Sequence, residues 1–253
     1  MLSMMVDHPL VVFLFSLAVL GLSVQLGGFL RKKSRPLQAD EAADLSLVIN
    51  ASLTLLALII GFSFSMAVNR YDQRKNYEEE EANAIGTEYV RSDFLPAADG
   101  TKVRELLTEY LERRLRFYTV RNQRRLEQVD RETAKLQAEM WSIVERDAAA
   151  QPSPLAALVV SGMNDVLNRQ GYAQAAWWNR IPDGAWTLML VLAICCSVLV
   201  GYGSHRKGFL ITVLPLLVSI AFLLISDIDS PRWGVIRVGP RNLISLSQSM
   251  HKP

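Results

Sequence analysis

Apolar positions along the chain gather into four long runs, at about 9–30, 46–69, 184–203 and 208–227, with a charge-dense stretch between the second and the third. Each run is close to the roughly 20 residues that a helix needs to cross the ~30 Å apolar core of a bilayer. Backbone N–H and C=O groups find no water there, so each run is predicted to be a helix. The runs form two pairs, which predicts an all-α membrane protein with four transmembrane helices in two hairpins. On this reading 1–69 holds the first hairpin, 70–183 is a helical extramembrane insert, 184–227 holds the second hairpin, and 228–253 is a C-terminal tail.

The period changes in the insert. From Thr101 to Asp147 the apolar positions Val103, Leu106, Leu107, Tyr110, Leu111, Leu115, Tyr118, Leu126, Val129, Leu136, Met140, Ile143 and Val144 recur mostly at helical steps, which predicts one long amphipathic helix over 101–149. Pro96 with Gly100, and Pro152 with Pro154, mark breaks on either side. The second membrane helix is therefore expected to continue to about Phe94, and a third insert helix to run from Pro154 to Ala176 with Ser153 as its cap. Trp177, Trp178 and Trp186 bracket Arg180 in the pattern of an aromatic belt at a membrane interface.

Composition supports the membrane reading, since half of the 253 residues are apolar. No Lys or Arg precedes the first run, and Arg31-Lys32-Lys33 follows it where a cleavage site would need small residues, so it reads as a retained helix. The net charge of +2 averages lipid-buried helices with a charged middle and indicates little. Basic residues in loops 31–45 and 204–207 place those loops in the cytoplasm and the insert outside, although Arg70, Arg74, Lys75, Arg169, Arg180 and Arg232 flank the opposite helix ends. Cys195 and Cys196 point about 100° apart on a helix and are expected to be small packing residues, not a disulfide.

Signatures of soluble enzymes are absent: no Gly-rich phosphate loop, no His pair at metal spacing, no nucleophile elbow. His8 and His251 lie near the ends and His205 in a short loop. No catalytic role, metal, cofactor or nucleic-acid partner is expected.

The second membrane helix carries the informative pattern. Ser46, Asn50, Thr54, Ala57, Gly61, Ser65 and Asn69 follow one another at three- and four-residue steps, forming a stripe of polar and small residues on an otherwise apolar helix. Close helix packing accounts for such a stripe, because small residues let helices approach and Asn or Thr can bond across the contact. A water-facing pore wall, built from several copies around an axis, accounts for it equally. In the pore reading Phe62 and Phe64 supply bulky rings that close the path by dewetting. Asp72, Glu78 and Glu81 would then form acidic rings at the pore mouth, drawing cations or holding a divalent ion.

The run Leu58-Ile59-Ile60-Gly61-Phe62 through Asn69-Arg70-Tyr71, then Glu81-Ala82-Asn83-Ala84-Ile85-Gly86, resembles the DUF4239 or bestrophin-like family of bacterial membrane proteins. The tail Asp227-Ile228-Asp229-Ser230-Pro231 with Gly234-Val235-Ile236-Arg237-Val238 resembles that family's C-terminal signature. A more distant resemblance reaches the bestrophin anion channels. It implies a pentamer with its pore along the second membrane helix, a narrow neck near Phe62, and an insert in the cytoplasm, opposite to the placement by loop charge. This chain departs from bestrophins in lacking an acidic calcium-clasp run after the fourth membrane helix and in placing Glu where an anion path favours positive charge.

These observations together lead to one expected function: an oligomeric ion channel of the bacterial inner membrane, of open selectivity. Its expected partners are the lipid bilayer, inorganic ions and further copies of itself. The alternative is a membrane-anchored interaction or sensor protein whose helical segment 70–183 binds a partner.

Overall fold

In a computed structural model, residues 7–204 and 210–251 are described. His205, Arg206 and Lys207, and with them the basic loop expected there, lie outside the described residues. Helices joined by short loops make up the described residues, with no strand among them. Helix α1, Pro9–Lys33, opens on a proline and closes on Arg31, Lys32 and Lys33, cations that suit the negative end of a helix dipole. Helix α2, Ala39–Arg91, is continuous for 53 residues and carries Asp40 and Glu41 in its first turn. At 1.5 Å per residue it is about 80 Å long, more than twice a bilayer core. It ends in a 3-10 turn, Ser92–Phe94, just ahead of Pro96.

The insert continues with α3, Ala97–Thr119, and α4, Gln123–Ala150. The single long helix expected over 101–149 is thus two. Between Tyr118 and Leu126 the apolar spacing lapses for two turns, Val120 and Asn122 adopt extended conformations, and the Asn122 side chain caps α4 by accepting from Arg125 N at 3.1 Å. The resulting αα-hairpin buries Val103, Leu106, Leu107, Leu111, Val129, Met140 and Val144 within the chain's own core. Helix α5, Pro154–Trp178, starts as expected, with the Ser153 hydroxyl accepting from Ala156 N at 3.1 Å. Then follow α6, Asp183–Gly203, α7, Leu210–Asp229, and α8, Arg241–Met250.

The chain divides into two compact units, Met1–Tyr71 with Arg180–Arg237, and Asp72–Asn179 with Val238–Pro253. In the first, α1 packs against α6 and α7. Backbone approaches closely there: a Cβ added at Gly27 would lie 2.0 Å from the Val198 carbonyl oxygen, and one at Gly201 2.1 Å from that of Val24. Trp186 is buried edge-on against Phe222, Cys196 is buried and Cys195 exposed, and both thiols are free. The tail folds back onto the end of α7. The Asp227 carboxylate accepts from Val235 N at 2.7 Å and Ile236 N at 2.8 Å, and buried Asp229 accepts from Ile181 N at 3.2 Å. Gly234 permits this turn, since a Cβ there would lie 2.1 Å from the Asp227 carbonyl.

In the second unit the α3–α4 hairpin packs with α5 around Tyr110, Phe117, Met163 and Trp177. Arg74, expected as a flanking surface charge, is buried and donates to the carbonyls of Ala176 at 3.1 Å and Asn179 at 3.3 Å. It thereby satisfies carbonyls that the end of α5 leaves without intrahelical donors. Trp177 stacks edge-on with Phe117 and Tyr118 in the core, and only Trp178 of the expected aromatic belt is exposed.

Candidate functional site: the outward face of helix α2

The membrane half of α2 is the least covered of the four candidate spans. Only 6% of its most apolar window is buried by the rest of the chain, against 33%, 33% and 50% for the other three. The residues that do turn inward are Leu56, Ser63 and Ala67. At about 100° per residue they lie roughly 150° around the helix from the stripe. Asn50, Thr54, Ala57, Gly61, Ser65 and Asn69 are all exposed, and a Cβ added at Gly61 would meet nothing within 4 Å. Within the described chain the stripe therefore packs against no other helix. Lipid chains offer an Asn amide no hydrogen bond, so Asn50 and Asn69 call for water, an ion or another polar surface.

The Thr54 hydroxyl donates to the Asn50 carbonyl at 2.8 Å, which leaves its oxygen lone pairs facing outward as acceptors. Phe62 is 61% exposed and Phe64 39% exposed, one on each flank of the stripe. Leu47 and Leu58, which share the outward arc, are exposed as well. Neither belongs to the expected stripe, but their helical register, seven residues before Thr54 and three before Gly61, puts them on the same side of the helix. On this face Leu58 lies one turn from Phe62.

Beyond the membrane half, the three expected mouth charges separate. Asp72 is exposed. Glu78 and Glu81 are buried and engaged inside the second unit, which corrects their expected placement in an acidic ring. Glu78 accepts from Asn242 N at 2.9 Å, Leu243 N at 3.0 Å and Asn242 Nδ2 at 2.6 Å, capping the start of α8. Glu81 pairs with Arg114 and accepts from the Tyr118 hydroxyl at 3.0 Å. Burial, reinforced by the Glu81 carboxylate, holds the Tyr118 phenol above its ordinary range. Helical register put both glutamates on one face, but that face is the covered one. Within the second unit Arg74, Glu78, Glu81, Ile85 and Glu88 follow each other at steps of three and four, and this spacing is the signal that they share one covered face. Among the described residues no group of three or more His, Cys, Asp or Glu comes together to hold a metal.

Comparison with solved structures identifies the fold. A point variant of a bacterial bestrophin homologue from Klebsiella pneumoniae superposes with a TM-score of 0.63 at 13% identity, covering 96% of this chain and 97% of that one. A second structure of the homologue from the same organism gives 0.62 at 14%, covering 94% and 97%. No curated protein matches the chain. A family model described as the bestrophin-like domain matches residues 12–243, and this four-span, all-helical membrane protein belongs to the bestrophin-like family.

Proposed function

We propose that the protein is a homo-oligomeric ion channel of the bacterial inner membrane, with a pore lined by the outward face of α2. The observation that carries this reading is the stripe from Asn50 to Asn69, polar and small, which the chain leaves uncovered in the middle of an apolar helix. Several copies of α2 around an axis would bury that face from lipid and give its amides and hydroxyls water or ions as partners. Asn50, Thr54, Ser65 and Asn69 then replace part of an ion's hydration shell, Ala57 and Gly61 leave room, and Phe62 or Phe64 narrows the path. Exposed Asp72 sets the charge at the mouth. Membership of the bestrophin-like family supports conduction, and the more distant resemblance to the bestrophin channels implies five copies.

Ion flux from purified protein in liposomes, under chloride and then potassium gradients, tests the proposal. Wild type is expected to pass one of these ions, and Asn50→Leu and Gly61→Leu to pass neither. Absence of flux from folded, oligomeric wild type would move the function to the partner-binding alternative.

A further inference from the structure

Glu88 lies near the far end of α2, on the buried face and beyond the membrane half. None of its surface is exposed, and neither carboxyl oxygen has a hydrogen-bond partner in the chain. The carboxyl fills the space beside Gly162 of α5: a Cβ added there would sit 1.9 Å from Oε2 of Glu88 and 2.6 Å from Nη1 of Arg91. That same Arg91 nitrogen donates to the Leu158 carbonyl at 3.4 Å, tying α2 to α5. A cleft of about 220 Å³ opens alongside, lined among others by Glu80, Thr87, Arg91, Gly162, Asp165 and Arg169.

The charges around Glu88 are few. On α2 they are Arg91 and Glu80, and on α5 Asp165 and Arg169, the last held by Glu80 at 2.6 Å. Asp93, in the 3-10 turn, is paired with Arg104 of α3. Burial raises the Glu88 carboxyl to about 8, with Arg91 opposing the rise and Asp165 adding to it. Burial therefore favours the protonated carboxyl, and a neutral acid costs far less to leave without partners than a carboxylate does.

We propose that the α2–α5 contact at Glu88 is a proton-operated latch. With the proton on, the neutral acid packs against Gly162 and Arg91 holds Leu158. When a local opening lets the proton pass to solvent water, the new carboxylate draws Arg91, three residues along its own helix, off the Leu158 carbonyl, and α5 loosens from α2. The latch rests on the channel reading only for its consequence, since α2 runs unbroken from this contact into the proposed pore lining.

Hydrogen exchange of the full chain in lipid nanodiscs, between pH 6.5 and 9.5 and corrected for the intrinsic rate, tests the latch directly. In peptides covering 154–178, wild-type protection is expected to fall about tenfold as pH rises from ~7 to ~9, and to stay level in Glu88→Gln and Glu88→Met. Protection that is independent of pH in wild type, whatever the variants do, would overturn the latch. A fall of the same size in the two variants would overturn it too. The readout needs no conduction, so a pH step in a protein that passes no ions would sink the channel proposal and leave the latch standing.

Discussion

Arg114 and Glu81 form an ion pair in which neither side chain has any exposed surface. The guanidinium lies 4.3 Å over the Phe117 ring, and the Tyr118 hydroxyl supplies a further bond to the carboxylate. Desolvating two charges offsets most of what their attraction gains, but removing one partner leaves the other buried and uncompensated. Arg114→Met is therefore expected to cost about 3–5 kcal/mol, a fall of roughly 10 °C in melting temperature by thermal denaturation in detergent. The double variant Glu81→Gln with Arg114→Met is expected to recover much of that loss. A double variant no more stable than the single would refute this account of the pair.

Close approach of α1 and α6 gives a second expectation. Gly27 and Gly201 each face a backbone carbonyl of the other helix, with no room for a Cβ. Gly27→Val must push α1 and α6 apart, whereas Gly21→Val has open space. The first is expected to cost about 2 kcal/mol or more and to speed proteolysis, and the second to be near neutral in the same assay.

Glu88 makes stability depend on pH with a defined sign. Its carboxyl titrates near 4.5 in an ordinary setting and is raised to about 8 in the fold. Between these values the unfolded chain has released the proton and the folded chain keeps it, so folding costs more as pH rises. The stability present at low pH is lost progressively up to about pH 8 and changes no further through this group. Melting temperatures are expected to slope downward from pH 5 to about pH 8 in wild type and to level off above it, and the slope is expected to be lost in Glu88→Gln.

How much of this was legible follows from what each signal measures. Apolar runs placed four membrane helices, and Pro96, Ser153 and Pro154 placed the insert's breaks, because these are local properties of the chain. The break at Val120–Asn122 is marked only by the lapse in apolar spacing between Tyr118 and Leu126, and helical steps resume beyond it, so no Pro or Gly signals that the helix ends there. Its consequence is functional: the apolar face from Val103 to Val144, which supported a partner-binding insert, is consumed by the hairpin itself. Glu78, Glu81 and Arg74 read as solvated charges because nothing local tells that α3, α5 and α8 cover them. The tail pattern around Asp227 and Gly234 stood out, but its role as a clamp on the end of α7 depends on backbone N–H groups brought in by the fold.

Phe62 gives the sharpest test of the proposed pore. Its ring projects from the uncovered side of α2, 61% exposed, next to Gly61, where the helix surface is otherwise bare. Repeated around an axis, such rings narrow the path to apolar walls, and water leaves a narrow apolar passage readily, so the barrier is steep in radius. Shortening the ring to a methyl group widens and rewets the constriction. Phe62→Ala is therefore expected to raise single-channel conductance about twofold or more in planar bilayers, with folding unchanged because the ring touches little of its own chain. Phe64→Ala, on the other flank and more covered at 39% exposed, is expected to raise it less. If Phe62→Ala leaves the current unchanged and Leu58→Ala raises it, the narrowest ring lies one turn earlier on the same face. If neither does, the outward face of α2 is not where the path is narrowest.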